Sequence, residues 1–448
     1  MDVAQDKIHR HTHKYYVYLW GDEMEIYVVK QGDTVTSIAN RFDVPAAEIE
    51  VLNGIENRGL AVGEALLIPL VGQNYTVQAG DSLYKIAMAN GLTVNEIAQV
   101  NQISPDKQLQ IGETLYIPPR KKLYKDAAAY IQPTATTYKE SIVNDMQQAA
   151  PLLTYSAIFA FEIDANGNLK EPPLEPILSI AKENQVVSML VVNNIRNGNF
   201  SSSLASRVVH DAAFQKKVID SIFAYAEKYR LADIHIDFEN IEANDKEAYN
   251  QFLRNIKARL PRGYTLSVTL VPKTSSKQSG KTYTAHDYKV QGEIADFVII
   301  MTYDWGWQGG SPMAVSPINE VEKVINYAIS EMPASKIMMG QNLYGFDWKI
   351  PFQQGTNARA LSAKQAVQLA VRWGAIIQYD KKAQAPYFKY TDENGQNHEV
   401  WFEDARSIQA KFDLIRRKYL RGIAYWKLGL PFPQNWALLR ENFRINKR

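Results

Sequence analysis

Seven consecutive residues alternate in a way that invites chemistry. Asp233-Ile234-His235-Ile236-Asp237-Phe238-Glu239 reads polar, apolar, polar throughout. In an extended strand a period of two puts Asp233, His235, Asp237 and Glu239 on one face and the apolar residues on the other. Carboxyls and an imidazole crowded on one face could exchange protons with a bound molecule. Turning them into a protein interior is costly unless they are paired or put to use. The plainer alternative is an edge strand whose charged face meets water while Ile234 and Ile236 cover a core. His235 is disfavoured as a metal ligand, because no second His lies near it in the motif. The run His9, His11, His13 also has ligand spacing, but a disordered leader fits it better. No metal and no cofactor is therefore expected.

The segment sits within about 320 residues in which short apolar runs alternate with longer amphipathic stretches. Strand candidates are Ala127–Ile131, Leu153–Phe161, Val187–Val192, Asp233–Phe238, Thr265–Val271, Phe297–Tyr303, Ile337–Tyr344 and Gly422–Trp426. Helical periodicity fills the gaps, for example over Asp211–Tyr229, Lys246–Leu260, Ile318–Met332 and Ser407–Tyr419. Eight such units predict an α/β fold, a (β/α)8 TIM barrel over 124–445, whose site lies at the C-terminal ends of the strands. Glu239 would then reach the open rim of the fourth strand. After the seventh, Ala385–Tyr390 and Asn397–Phe402 flank Asp392-Glu393-Asn394-Gly395, a hairpin signal inside a small α+β insertion at about 350–405.

The 232–239 stretch resembles the Asp-x-x-Asp-x-Asp-x-Glu signature of glycoside hydrolase family 18. Three later segments are similar to the same family in the same order: Met301-Thr302-Tyr303-Asp304, then Gly340 to Trp348 with its Tyr344-Gly345, then Gly422-Ile423-Ala424-Tyr425-Trp426. The resemblance implies that Glu239 is the general acid and later the base. It implies that Asp237 holds the substrate acetamido N–H, and that Tyr303 bonds the acetamido oxygen. Trp426 would floor the sugar, with Met301, Asp304, Gln341 and Tyr344 as further substrate contacts. The family mechanism is substrate-assisted through an oxazolinium ion, an exception to the two-carboxylate scheme. Two positions depart from the signature, because Ala232 and His235 stand where it has Asp. His235 is expected to line the substrate site and to donate a hydrogen bond to Asp237.

Ahead of the barrel lie two copies of one unit. Val28-Val29-Lys30-Gln31-Gly32-Asp33-Thr34 returns 48 positions on as Thr76-Val77-Gln78-Ala79-Gly80-Asp81-Ser82, and Leu52-Asn53 as Val100-Asn101. Each unit, 26–70 and 74–118, reads strand, helix, helix, strand, with Pro118 to Lys122 as the joint (119–123) to the barrel. The pair resembles LysM domains. That resemblance implies glycan grooves at Gly32, Asp33, Thr34 and Asn53 in the first copy and at Gly80, Asp81, Ser82 and Asn101 in the second. On the residues alone, Gly-Asp-Thr/Ser can equally be a turn followed by a helix cap. Two linked weak sites suit a repeating polymer, where avidity adds about 10²–10⁴.

Composition narrows the classes further. With 50 Lys+Arg against 48 Asp+Glu, a net charge of +2 and 46% hydrophobic residues, the chain is a folded protein without a nucleic-acid footprint. No apolar run approaches the ~20 residues of a membrane helix. The absence of Cys excludes a thiol nucleophile and disulfides. Residues 1–23 carry neither the apolar core nor the cleavage site of a signal peptide and are expected to be a leader. Two LysM units before such a barrel resemble the cortical-fragment-lytic N-acetylglucosaminidases of Bacillus-type spores. These are made in the mother cell and deposited on the spore, and cleave peptidoglycan after N-acetylglucosamine during germination. The expected partner is such a glycan, and the expected state a monomer. Two alternatives stay open: a chitinase or endo-N-acetylglucosaminidase on another glycan, and a non-catalytic, lectin-like barrel.

Overall fold

A computed structural model of the chain describes residues 23–55, 58–70, 73–90, 92–118, 121–134, 136–280 and 282–448. The expectations for the leader and its histidines fall almost wholly outside them.

Eight strands build the barrel: β1 (Leu123–Ile131), β2 (Tyr155–Ile163), β3 (Val187–Asn193), β4 (Asp233–Asp237), β5 (Thr265–Leu270), β6 (Phe297–Ile300), β7 (Ile337–Asn342) and β8 (Gly422–Trp426). Each pairs in parallel with the next, and β8 returns to β1, closing the ring. Closure needs a glycine, because a Cβ at Gly422 would lie 1.7 Å from the Asp126 carbonyl oxygen. Strand alternation sorts the side chains. Ile234, Ile236, Val298 and Ile300 face outward to the helices, while Met189, Val191, Phe297, Ile299 and Met338 fill the lower lumen. The helices Ala212–Tyr229, Lys246–Arg259, Ile318–Glu331 and Ala405–Arg417 fall where the periodicity puts them.

β4 is hydrogen-bonded on both sides, to β3 and β5, so the edge-strand alternative fails and its polar face points into the barrel. Two boundaries differ from expectation. β6 stops at Ile300, and Met301 to Asp304 leave the sheet in a turn where Asp304 adopts a left-handed φ of 66°. β7 stops at Asn342, and Tyr344–Ile350 belongs to the insertion, pairing with Arg359–Ser362 and Asn397–Trp401. The insertion is a five-stranded antiparallel sheet with one helix, Ala363–Trp373. Its Ala385–Thr391 and Asn397–Trp401 strands form the expected hairpin.

Both N-terminal units fold as strand, helix, helix, strand. Thr34 and Ser82 cap their first helices, by accepting from the amides of Ser37 and Lys85. They differ in what surrounds them. In the first unit Leu52, Ala65 and Leu67 join the barrel's own core, and Ala61 joins that of the insertion. Gln434, near the start of the last helix (Pro433–Asn442), donates to Asn53 Oδ1 at 2.6 Å and to the Ala65 carbonyl at 2.8 Å. The amide of Ile377 donates to the Val62 carbonyl at 2.9 Å. The second unit instead closes a small core of its own, with Ile86, Ile97 and Leu115 at its centre.

Candidate active site

The strand ends converge on a cavity of about 510 Å³, large enough for sugar units. Asp237, Glu239, Met301, Tyr303, Asp304 and Trp426 all line it. Asp237 is the last residue of β4 and is buried, whereas Glu239, two residues on, stands half-buried at the rim. Asn194, just past β3, grips the Glu239 backbone from both sides. Its Oδ1 accepts from the Glu239 amide at 3.0 Å and its Nδ2 donates to the Glu239 carbonyl at 2.8 Å. Trp426 closes β8 and is braced edge-on by Phe159 and Tyr130, with ring centroids 5.0 and 5.4 Å away. It presents an apolar floor of the kind a sugar face stacks on.

The loop after β6 seats Tyr303. Thr302 donates to the Gly340 carbonyl at 2.7 Å, and Ser316 to the Thr302 carbonyl at 2.6 Å. A Cβ at Gly340 would come within 2.9 Å of the Tyr303 ring. Tyr344 reaches the site through its hydroxyl, which donates to Asp304 Oδ1 at 2.5 Å.

Electrostatics separate the two carboxyls. Burial pushes Glu239 up, and the neighbouring Asp237 and Asp304 carboxylates push it further. Burial also raises Asp237, but a hydrogen bond from Thr269 holds it back. An acid protonated near neutrality beside a carboxylate that keeps its charge is the arrangement of a proton donor with an electrostatic partner. Burial drives His235 down to about 3, so the ring is neutral at any working pH.

Some expectations need correction. His235 does not bond Asp237 and lies beneath the cavity: its Nδ1 meets Ser267 Oγ at 2.7 Å, and its Nε2 meets Tyr130 Oη at 2.7 Å and Thr269 Oγ1 at 2.8 Å. Gln341 does not face the cavity. Strand alternation turns it outward with Ile337 and Met339, and its Nε2 bonds the carbonyl of Asn342. In the first LysM unit, Asn53 is buried. It donates to the carbonyls of Ile49 and Leu67 and accepts from Leu67 and Gln434, which leaves its side chain no room for sugar. Asn101 ties the same elements in the second copy through Ile97 and Tyr116. Asp33 and Asp81 close their turns by accepting from Tyr27 and Lys30 and from Tyr75 and Gln78. Gly32 and Gly80 supply the left-handed φ there. These side chains build the turns and caps of the two units.

Sequence reading missed Asn194, Ser267, Thr269 and Tyr130. A signal existed for two of them, since Thr265-Leu266-Ser267-Val268-Thr269 alternates in register with β4.

The geometry defines a glycosidase, and comparison with known proteins agrees. Residues 127–430 match the glycosyl hydrolases family 18, and residues 27–69 and 75–118 match the LysM domain. The chain belongs to glycosyl hydrolase family 18 and is a glycoside hydrolase. Among its relatives is the cortical fragment-lytic enzyme of Bacillus anthracis, 52% identical over 95% of this chain and 100% of that one. That of Bacillus subtilis is 47% identical over 95% and 99%. The crystal structure of the Bacillus cereus spore cortex-lytic enzyme SleL superposes with a TM-score of 0.89 at 54% identity, over 95% of this chain and 99% of that one.

Proposed function

We propose that this hydrolase cleaves spore cortex glycan after N-acetylglucosamine, with retention and through an oxazolinium ion. The observation that carries the reading is the pairing of Glu239, raised and half-exposed, with Asp237, enclosed on the same strand face beside the Trp426 floor. Glu239 gives its proton to the leaving glycosidic oxygen as the acetamido oxygen of the same sugar attacks the anomeric carbon. Asp237 accepts the acetamido N–H and offsets the positive charge that develops on the ring. Tyr303 donates to the acetamido oxygen and aligns it for attack. Water then opens the oxazolinium ion from the side the leaving group vacated, and Glu239 takes back a proton as base. Acid–base transfer of this kind contributes about 10²–10⁴ in rate.

Bond choice follows from the substrate. Muramic-δ-lactam in cortex has its nitrogen locked in a ring, so it has no acetamido arm to assist its own cleavage. Cutting after N-acetylglucosamine avoids that obstacle. The near full-length similarity to cortical fragment-lytic enzymes supports cortex over chitin. The LysM units hold the same polymer. In this reading the protein acts as a monomer and is deposited on the spore.

The test is mass spectrometry of borohydride-reduced products from cortex fragments. Reduced N-acetylglucosamine ends are expected with the wild type and absent with Glu239→Gln. Reduced muramic ends, or equal digestion of chitin oligomers, would overturn the bond or the substrate. No new ends from the wild type would leave a glycan-binding barrel.

A further inference from the structure

Below the cavity the inward faces of β4 and β5 carry polar groups side by side, and their proton accounting is constrained. Ser267 has one hydroxyl proton. Its Oγ lies 2.5 Å from Asp233 Oδ1 and donates to it, while Thr265 donates to Oδ2. Burial raises Asp233 to about 7, and above that pH the carboxylate commits the serine proton; Ser267 can then only accept from His235 Nδ1, 2.7 Å away, so Nδ1 carries the ring proton. The ring is fully buried and neutral, which leaves Nε2 as a lone pair. Two hydroxyls face that lone pair, Tyr130 Oη and Thr269 Oγ1, and Thr269 also bonds Asp237.

We propose that Asp233 and Ser267 are positioning residues that lock His235 in its Nδ1–H tautomer, so that Nε2 orients the Tyr130 and Thr269 hydroxyls beneath the Asp237 carboxylate. When Asp237 is ionised, Thr269 donates to it and Tyr130 donates to Nε2. When Asp237 holds a proton, it donates to Thr269, whose hydroxyl turns to Nε2. Because Nε2 has one lone pair, Tyr130 then turns its proton to Thr269 Oγ1; the site passes between the two states by rotating these two hydroxyls, and no proton leaves the imidazole. The opposite tautomer would aim an N–H at both hydroxyls and draw the serine proton to Nδ1, so that Asp233 would have to carry a proton itself. A neutral ring thereby does the work of a second carboxylic acid under Asp237.

The titratable groups facing Asp237 are Tyr130 from β1, Glu239 beyond its own strand, Tyr303 after β6 and Tyr249 from the helix outside, while Asp304 faces Glu239. Asp233 in turn faces Asp296 and Arg421.

The inference rests on the reading of Asp237 as the group that holds the acetamido, and the experiment separates the two. Nitrogen-15 NMR of imidazole-labelled, full-length protein reads the tautomer, with the His235 signal assigned by its loss in His235→Gln. At a pH well above 7, where Asp233 is ionised, an Nδ1–H pattern is expected in the wild type, and an Nε2–H pattern there would overturn the proposal. Ser267→Ala should shift the signal toward Nε2–H and lower kcat about tenfold, with KM little changed. It should also move the acid limb of kcat/KM, and Ser267→Thr should restore all three. A shifted tautomer with unchanged kcat and pH profile would refute the link to Asp237. Full activity in Asp237→Asn would instead remove the underlying reading while leaving the tautomer result standing.

Discussion

At the scale of the residue, charge and close contact decide how the site behaves. Glu239 works as an acid only while protonated, so kcat/KM falls as pH rises through its pKa. Burial raises that pKa, and the Asp237 and Asp304 carboxylates raise it further. Asp304→Asn removes one of these charges and is expected to move the alkaline limb of the pH–rate profile to lower pH. A limb that stays in place would show that Asp304 contributes nothing. Gly340→Ala tests the seat of Tyr303. Its new methyl would meet the Ile300 carbonyl oxygen at 2.5 Å as well as the Tyr303 ring. Overpacking of this kind costs about 1–3 kcal/mol. Denaturant melts should show that loss, and kcat/KM should drop as Tyr303 is displaced. A variant with wild-type stability and rate would mean that the loop yields freely.

At the scale of the element, the first LysM unit is held by the last helix. Gln434→Ala removes the donor shared by Asn53 and Ala65 and leaves buried acceptors short of a partner, for about 1–3 kcal/mol in chemical denaturation. A change within error would mean that water replaces the amide. The same contact explains where sequence reading stops. The four polar residues of 233–239 were legible because a period of two fixes their common face whatever lies around them. Gln341 was misplaced because a motif carries spacing and not facing, which only the register of β7 against β6 and β8 decides. Asn53 was misread because its partner Gln434 lies 381 residues away. Leu343 and Tyr344 looked like the end of a barrel strand because nothing local marks where a chain leaves one sheet for another.

At the scale of the whole molecule, the two LysM units should melt differently. Leu67 is fully buried in the core shared with the barrel, whereas Ile97 is fully buried in a core confined to the second unit. Each Leu or Ile to Ala change costs about 2–5 kcal/mol at its site. In calorimetry, Leu67→Ala should lower the main barrel transition, while Ile97→Ala should lower a separate small one. A shift of the main transition by Ile97→Ala would show the second unit coupled to the rest. The seam at Gly422 carries a consequence in time. β1 leaves the ribosome roughly 290 residues before β8, its partner there. At about 5–20 residues per second, that is about 15–60 s of synthesis. Throughout it the first strand has one flank unpaired, and the first LysM unit waits for a helix made later still. The second unit has all its strand and core partners within 73–117 and can fold as soon as it emerges. The module made second is therefore free to finish first, and the barrel and the first LysM module become whole only once Gly422–Trp426 and Pro433–Asn442 have been made.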